Sequence, residues 1–366
     1  MSAFVESCVE TVAGKAQIAE RRRRGQPRVC RLLRLLADKK KILITSHEHP
    51  DPDAYGSVLG MLELLRYSLP EANIQVSLKG RVGGGINSSF YRESSVHLVP
   101  WEEQKLSRYD AIILLDTQPL FAYSPLPKDI IPLAVIDHHR TPRGKKPKSK
   151  FCDIRTEVGA AASIVFSYFM ELDIPISSDL AATMLYAIES DLAGSAGNPT
   201  GLDNIALSSL TLKADPARLH RIRYVDLPRS YYVAFAQGIE NAMFYDHVLI
   251  SHLDEIDSLE KPAVLADFLL RFDQADWVLV SALYEKKMIL SLRTSSAKAS
   301  AGILMNRLLK KLGEGGGHRT KAGGTIILDN PSTREVERVR NILRKRLLRL
   351  LKSHAATGQK LVPGKA

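Results

Sequence analysis

The sequence has almost no cysteine. Three stand in 366 residues, Cys8, Cys30 and Cys152, and no two form a CxxC pair. An odd count without such a pair excludes a disulfide framework and a cysteine-built metal site, and it suits a reducing compartment. Each is read as a small, inert hydrophobe. No apolar run approaches the roughly 20 residues that cross a bilayer. The opening "MSAFVESCVETVAGKAQIAERRRRG" has no apolar segment ahead of a cleavage site, so no signal peptide is read. A cytoplasmic protein without stable membrane association is the expectation. There is no internal repeat.

Acidic charge is scarce in particular places. The net charge is +11. Residues 20–41 and residues 331–366 each hold ten Lys/Arg against two acids, which leaves −5 for the rest of the chain. A third run, "RTPRGKKPKSK" (140–150), has six positive charges and no acid. A mildly acidic core is therefore decorated with basic segments of the kind that attract polyanions. The 140–150 run, with two prolines and a glycine, reads as a loop. Residues 1–26 read as a basic, disordered N-terminus.

From about residue 27 the chain looks globular. "PRVCRLLRLLADKK" reads as a short helix feeding the strand "KILITS", and "SVLGMLELLRYSL" as a helix ending at Pro70. "IQVSL" (74–78), "VHLV" (96–99), "AIILL" (111–115) and "LAVI" (133–136) read as strands. Their alternation with helical stretches argues for a parallel α/β sheet. Residues 159–171 and 179–190 read as helices. A mostly helical connector is placed over 204–245, broken at "DLPRS". From 246 "HVLISHL", "WVLVSALYE", "KMILSLRTS" and "TIILD" read as strands of a second, smaller α/β domain ending near 330, interrupted by a helix over 299–312. A basic amphipathic helix over 333–352 follows. Its Val336, Val339, Leu343, Leu347 and Leu350 share one face, expected to pack on its own chain or on a second copy in a homodimer.

The chemistry concentrates in "HEHPDPDAYGS" (47–57), which follows directly on "KILITS". Ionisable groups packed this densely at a strand end need compensation, and a divalent cation supplies it. Two further strands end in the same residue types: "AIILL" runs into Asp116, and "LAVI" into Asp137, His138 and His139. In an open α/β sheet the carboxyl ends of the strands line the ligand crevice. Histidine and aspartate without cysteine suit Mn²⁺, Mg²⁺, Fe²⁺ or Zn²⁺. There are more candidate ligands than one ion needs. Two ions at about 3.5–4 Å stabilise the attacking and leaving oxygens of a phosphoryl transfer. His49 and Glu48 are read as surface or supporting residues.

These segments resemble the DHH phosphoesterases. "HEHPDPDAYGS" is similar to their first motif, "DTQP" to the second, "DHHR" to the third and "ESDLAG" to the fourth; "SLRTS" and "GGGHRTKAGG" resemble the DHH-associated substrate domain. The resemblance runs from about residue 40 to 328 and is nearest the nanoRNase branch. It implies that His47, Asp51 and Asp116 hold one ion, that Asp53, His138 and Asp191 hold a second, that Asp116 bridges them, and that both ions are Mn²⁺. It implies that His139 faces the scissile phosphate, with Asp137 fixing the imidazoles. Gly56 allows close backbone approach, and Ser57 caps or makes a supporting bond. In the fourth motif Leu192 replaces the usual threonine, and the downstream arginine is missing.

The run "GEGGGH" (313–318) is read as a stretch that cannot sit inside regular structure and whose amides can point at an anion. The resemblance implies that Arg293, Gly315, Gly316, Gly317 and His318 grip a substrate phosphate. It implies two-metal hydrolysis of short oligoribonucleotides, with 3'-phosphoadenosine 5'-phosphate as a further substrate. The alternatives are a cyclic-dinucleotide phosphodiesterase, a RecJ-like single-strand exonuclease and a catalytically silent nucleotide sensor. A DHH-family inorganic pyrophosphatase lacks the GGGH loop.

Overall fold

The computed structural model describes residues 27–80, 82, 85–121, 123–141, 147–192, 199–296, 299–317, 319–329, 331–355 and 357–363. The expected disordered N-terminus over 1–26, His318, and the centre of the 140–150 run lie outside these residues. The chain divides into two compact units that meet in sequence between Val225 and Asp226, at the start of "DLPRS".

The first unit begins with α1 (Arg28–Leu36), β1 (Lys41–Thr45), α2 (Pro52–Ser68), β2 (Asn73–Val76) and α3 (Ser88–Glu93). It continues with β3 (Ala111–Leu115), β4 (Ala134–Asp137), β5 (Phe151–Ile154), α4 (Ala161–Leu172), α5 (Ser178–Leu192), α6 (Gly201–Lys213) and α7 (Pro216–Arg223). The strands form an all-parallel sheet in the order β2-β1-β3-β4-β5. This confirms the parallel α/β reading. β3 and β4 are buried at every position, as expected of strands covered on both faces. Successive residues of β3 alternate between two cores. Ile113 and Leu115 join the large cluster under α2, α4 and α5, while Ile112 and Leu114 join a smaller one with Leu106 and Leu126.

Two sequence-based strands differ. "VHLV" makes a single bridge, Val76 with Leu98, in place of a strand. β5 is unanticipated: "FCDI" is short and carries Asp153, whose polarity hides the strand. In the fold Asp153 is buried and accepts from Arg155 Nη2 at 2.7 Å and from the Tyr168 hydroxyl at 2.7 Å.

The second unit contains α8 (Arg229–Glu240), β6 (Met243–Tyr245), β7 (Val248–Glu255), α9 (Lys261–Leu269), β8 (Trp277–Tyr284) and β9 (Lys287–Thr294). α10 (Ala301–Leu309), β10 (Glu314–Gly317), β11 (Lys321–Ile327), α11 (Thr333–Leu350) and β12 (Gln359–Lys360) follow. Its mixed sheet runs β10-β11-β9-β8-β7-β6-β12. The stretch read as a connector is thus divided, with α6 and α7 in the first unit and α8 in the second.

The glycine run is corrected by the structure. Glu314–Gly317 is a strand, paired antiparallel to Lys321–Ile327 with Gly315 opposite Gly324 and Gly316 opposite Gly323. Packing explains most of its glycines. A Cβ on Gly315 would lie 2.7 Å from Leu309 Cδ1, and one on Gly302 of α10 would lie 2.2 Å from the Gly317 carbonyl oxygen. Gly317 also has φ +149, a conformation that side chains avoid. Helix α10 therefore lies directly against a side-chain-free strand.

No helix among the described residues is long and apolar enough to cross a membrane. The apolar face of α11 packs within its own unit: Val336, Val339, Leu343 and Leu347 are buried in the second unit's core with Leu308 and Leu309. Leu350, expected on that face, is 36 % exposed, because the last turn runs past the core. Leu343→Ala should destabilise the protein by about 2–5 kcal/mol, read as a lowered denaturant midpoint at constant protein concentration. An unchanged midpoint would mean that α11 is not a core element.

Candidate metal centre

The strand order places a topological switch between β1 and β3, where a doubly wound sheet opens its ligand crevice. His47 follows β1 there and Asp116 follows β3, with His138 and His139 after β4 alongside. Asp116 turns into the left-handed region at φ 53, a conformation that costs a non-glycine residue about 1–3 kcal/mol and survives only where its surroundings over-determine it. Its amide still donates to the Ile136 carbonyl at 2.9 Å, so the sheet hydrogen bonding carries through the turn.

The fold brings the predicted residues together. His47 Nε2 lies 3.8 Å from Asp51 Oδ1 and 3.6 Å from Asp116 Oδ2. His138 Nε2 lies 3.3 Å from Asp116 Oδ1, 3.7 Å from Asp191 Oδ2 and 3.9 Å from Asp53 Oδ2. Three sets have donor atoms close enough to share an ion: His47, Asp51 and Asp116; Asp53, His138 and Asp191; and Asp116, His138 and His139. Glu48 stands apart, paired with Lys79 at 2.9 Å. His49, at φ 55, packs its ring against Gly80.

Each helix contributes through its own geometry. Asp51 is the N-cap of α2 and accepts from Ala54 N at 3.0 Å. Asp53, in the first turn and almost fully buried, accepts from Ala161 N at 2.7 Å and Ala162 N at 2.9 Å. It thereby caps α4, whose own N-cap Ala160 has no side chain able to do so. A carboxylate at a helix N-terminus is favoured by the helix dipole. Asp191 arrives on the last turn of α5. Gly56 sets that approach, because a Cβ there would lie 2.4 Å from Ala187 Cβ of α5. The close-approach expectation for Gly56 holds. The Ser57 hydroxyl oxygen is buried and has no hydrogen-bond partner among the described residues.

The imidazoles are oriented from behind. His47 Nδ1 is 2.9 Å from the Glu48 carbonyl, and His138 Nδ1 is 3.2 Å from the Val158 carbonyl. Both rings thus present Nε2 to the carboxylates, the arrangement that second-sphere acceptors impose on ligand histidines. His139 differs. Its Nδ1 pairs with Asp137 Oδ1 at 2.8 Å, while Asp137, fully buried, also accepts from His138 N at 2.8 Å and Gln118 Nε2 at 2.7 Å. Gln118 also donates to the His139 carbonyl at 2.9 Å. Sequence reasoning passed over Gln118; its place two residues after Asp116 in "DTQP" was the available signal.

The electrostatics describe a place built for positive charge. Burial alone would push His47 down, but Asp116 and Asp51 outweigh it and hold the ring up at about 11. His138 is likewise raised well above the imidazole range against its burial, by Asp116, Asp53 and Asp191. His139 is raised against burial by Asp137 and Asp116. Asp116 is held far below the carboxylate range, despite burial, by His138 and His47. Asp53 is pushed well up by burial, then by Asp116 and Asp191. Asp116 Oδ1 is buried and makes no hydrogen bond among the described residues. A buried carboxylate oxygen beside two imidazoles and three further carboxylates, with no hydrogen bond among the described residues, fits a divalent cation.

The comparisons agree with this geometry. Residues 41–188 match the family model described as DHH family, N-terminal domain. Over those residues the chain is similar to the DHH family. An uncharacterised protein of Methanocaldococcus jannaschii is 28 % identical over 307 residues, covering 83 % of this chain and 62 % of the relative. A "probable manganese-dependent inorganic pyrophosphatase" of Streptococcus thermophilus is 26 % identical over 151 residues, covering 41 % of this chain and 48 % of that one. The chain thus spans about half to three fifths of these curated relatives. An exopolyphosphatase-related protein from Bacteroides fragilis superposes with a TM-score of 0.69 at 19 % identity, over 89 % of this chain and 98 % of that one. That likeness shows a shared fold: a parallel α/β DHH domain and a smaller α/β domain.

In the second unit Arg293, at the end of β9, stands opposite Lys321 of β11. It is 8 % exposed. Its guanidinium pairs with Asp267 of α9 and donates to the Ser291 hydroxyl at 2.8 Å and the Leu292 carbonyl at 3.2 Å. Gly316 differs from its neighbours, since a Cβ there would meet nothing within 4 Å.

Gly56→Ala should force α5 away from α2 and carry Asp191 with it, weakening Mn²⁺ binding about tenfold for each 1.4 kcal/mol of lost binding. Adding Ala187→Gly should restore the affinity measured by titration calorimetry. Failure of the second substitution to rescue the first would show that Gly56 does not set the α2–α5 approach.

Proposed function

We propose that the protein is a metal-dependent phosphoesterase of the nanoRNase type, which hydrolyses phosphoester bonds in short oligoribonucleotides and accepts 3'-phosphoadenosine 5'-phosphate. The observation that carries this reading is the carboxylate of Asp116, which turns one oxygen to His47 and the other, buried and without a hydrogen bond among the described residues, to His138. His47, Asp51 and Asp116 hold one ion, and Asp53, His138 and Asp191 hold the second; Mn²⁺ suits this nitrogen-and-oxygen donor set. When bound, two such ions lower the pKa of water and offset charge on the phosphoryl oxygens.

The side chains supply the rest. Asp137 holds His139 by Nδ1, which leaves Nε2 to give its proton to the leaving oxygen. A carboxylate behind an imidazole stabilises the imidazolium, the form that carries the Nε2 proton general acid catalysis needs. Gln118 prevents Asp137 from turning away. Arg293, held by Asp267 and Ser291, adds positive charge where Gly315, Gly316, Gly317 and His318 receive a terminal phosphate. Gly316, with no packing neighbour on its bare face, leaves room for that approach.

Aromatic surface beside the imidazoles favours nucleotides over inorganic pyrophosphate. The Tyr123 ring stands edge-on to His47 at 6.0 Å and the Phe121 ring edge-on to His139 at 5.9 Å, with Tyr123 exposed. Such rings give a base a stacking partner worth about 1–3 kcal/mol.

Mn²⁺-supported assays with dinucleotides, longer RNA, 3'-phosphoadenosine 5'-phosphate, cyclic dinucleotides and inorganic pyrophosphate, run side by side, test the reading. Dinucleotides should be the best substrates; a preference for pyrophosphate would sink it. Asp116→Asn keeps a residue that tolerates positive φ but removes the shared charge, and it should lower kcat by about 10²–10³ or more. Retained turnover with both metals bound would contradict the bridging role.

A further inference from the structure

Two of the basic segments meet in space. A cavity of about 860 Å³ lies between the start of α1 and the strand β5, and Arg28, Arg31, Arg34 and Arg140 line it together. The first three recur at every third position along α1, on the face opposite the buried Val29, Leu32, Leu33 and Leu36. All four arginines are exposed.

The acid among the lining residues, Asp153, offsets only part of this group, through Arg28. Its carboxylate is buried and already engaged by Arg28, by Arg155 Nη2 at 2.7 Å and by the Tyr168 hydroxyl at 2.7 Å. Arg31 touches the second basic segment through its Nη2, which donates to the Lys150 carbonyl at 3.1 Å. That contact takes one of five guanidinium donors and none of the charge. Within the cavity, positive charge is thus gathered from segments more than 100 residues apart, with its one acid internally paired.

The volume is within the range of about 300–1,000 Å³ typical of small-ligand sites. Its chemistry is not that of a base pocket. The aromatic residue among its lining, Phe151, is 3 % exposed and offers no stacking face. Guanidinium forks without an aromatic wall recognise phosphate oxygens, not bases. The location narrows the ligand further. Arg140 directly follows His139, so the cavity's wall begins one residue from the metal centre.

We infer that this cavity is a second phosphate-backbone subsite, which holds the nucleotides of a single strand beyond the linkage being cleaved. The inference rests on the phosphoesterase reading for the placement of the cleaved end, and it extends that reading to substrate length. A dinucleotide at the metal centre leaves the cavity empty. A strand of about five nucleotides reaches it and gains sequence-independent, salt-sensitive contacts.

The test uses Mn²⁺-loaded protein and a labelled RNA 5-mer whose two terminal linkages are methylphosphonates, so that binding is read without cleavage. Arg31→Gln/Arg34→Gln and, separately, Arg140→Gln should weaken 5-mer binding about tenfold. Each lost contact should lower the slope of log K against log salt by about 0.7. Dinucleotide hydrolysis by Arg31→Gln/Arg34→Gln should stay at the wild-type rate. Unchanged 5-mer affinity and slope in both variants would overturn the inference. So would an equal loss of dinucleotide turnover, which would make these arginines supports of the metal site. Displacement of the 5-mer by tripolyphosphate at equal charge concentration would mark a general polyanion site and overturn the assignment to a strand. If the wild-type protein hydrolyses no dinucleotide but binds the 5-mer through these arginines, the phosphoesterase reading fails and the subsite stands. If hydrolysis is present and the variants bind normally, the subsite fails alone.

Discussion

Asp51, Asp53, Asp116 and Asp191 converge on one edge of a parallel sheet, and their mutual repulsion is the constraint on which the rest of the first unit depends. Two like charges about 4 Å apart at a protein surface repel by roughly 4 kcal/mol. The fold meets this cost locally where it can. The amides that open α4 hold Asp53, the first turn of α2 holds Asp51, and His47 and His138 face Asp116. One oxygen of Asp116 is left without a hydrogen bond. A cation bound at that point would relieve repulsion and complete the pairing in one event, which would link its affinity to pH and to folding.

The remaining architecture serves the placement of these groups. The switch between β1 and β3 opens the crevice; the strained turn at Asp116 aims its carboxylate into it; Gly56 lets α5 come close enough to deliver Asp191. Behind the ligands, Asp137 and Gln118 form a buried hydrogen-bonded support that the ligands alone would not reveal. The second unit applies the same economy of space in another way. Its glycines let α10 lie on a bare strand, and Arg293 and Lys321 stand side by side on adjacent strands of that sheet.

Much of this was legible in the sequence because it is local. "HEHPDPDAYGS", "DTQP" and "DHHR" each join a hydrophobic strand to its polar end, so both sheet and site could be read from short segments. What escaped depends on distant partners. Asp53 reads as a ligand, but its second task, capping α4, is set by a helix more than 100 residues away. The glycine run was mistaken for irregular structure because a strand without side chains has no alternation to read; only the approach of α10 explains it. The "VHLV" segment has strand-like residues but a single bridging partner. The two basic segments read as separate runs that attract polyanions; only the fold joins them at one cavity.

The central claim is that one carboxylate, Asp116, is shared by two cation positions. Mn²⁺ titration of the full chain, followed by electron paramagnetic resonance, tests it most directly. The account predicts that two ions bind per chain and that the second gives the broadened, exchange-coupled spectrum of a bridged pair. Saturation at one ion, or two ions with the spectrum of isolated Mn²⁺, would contradict it.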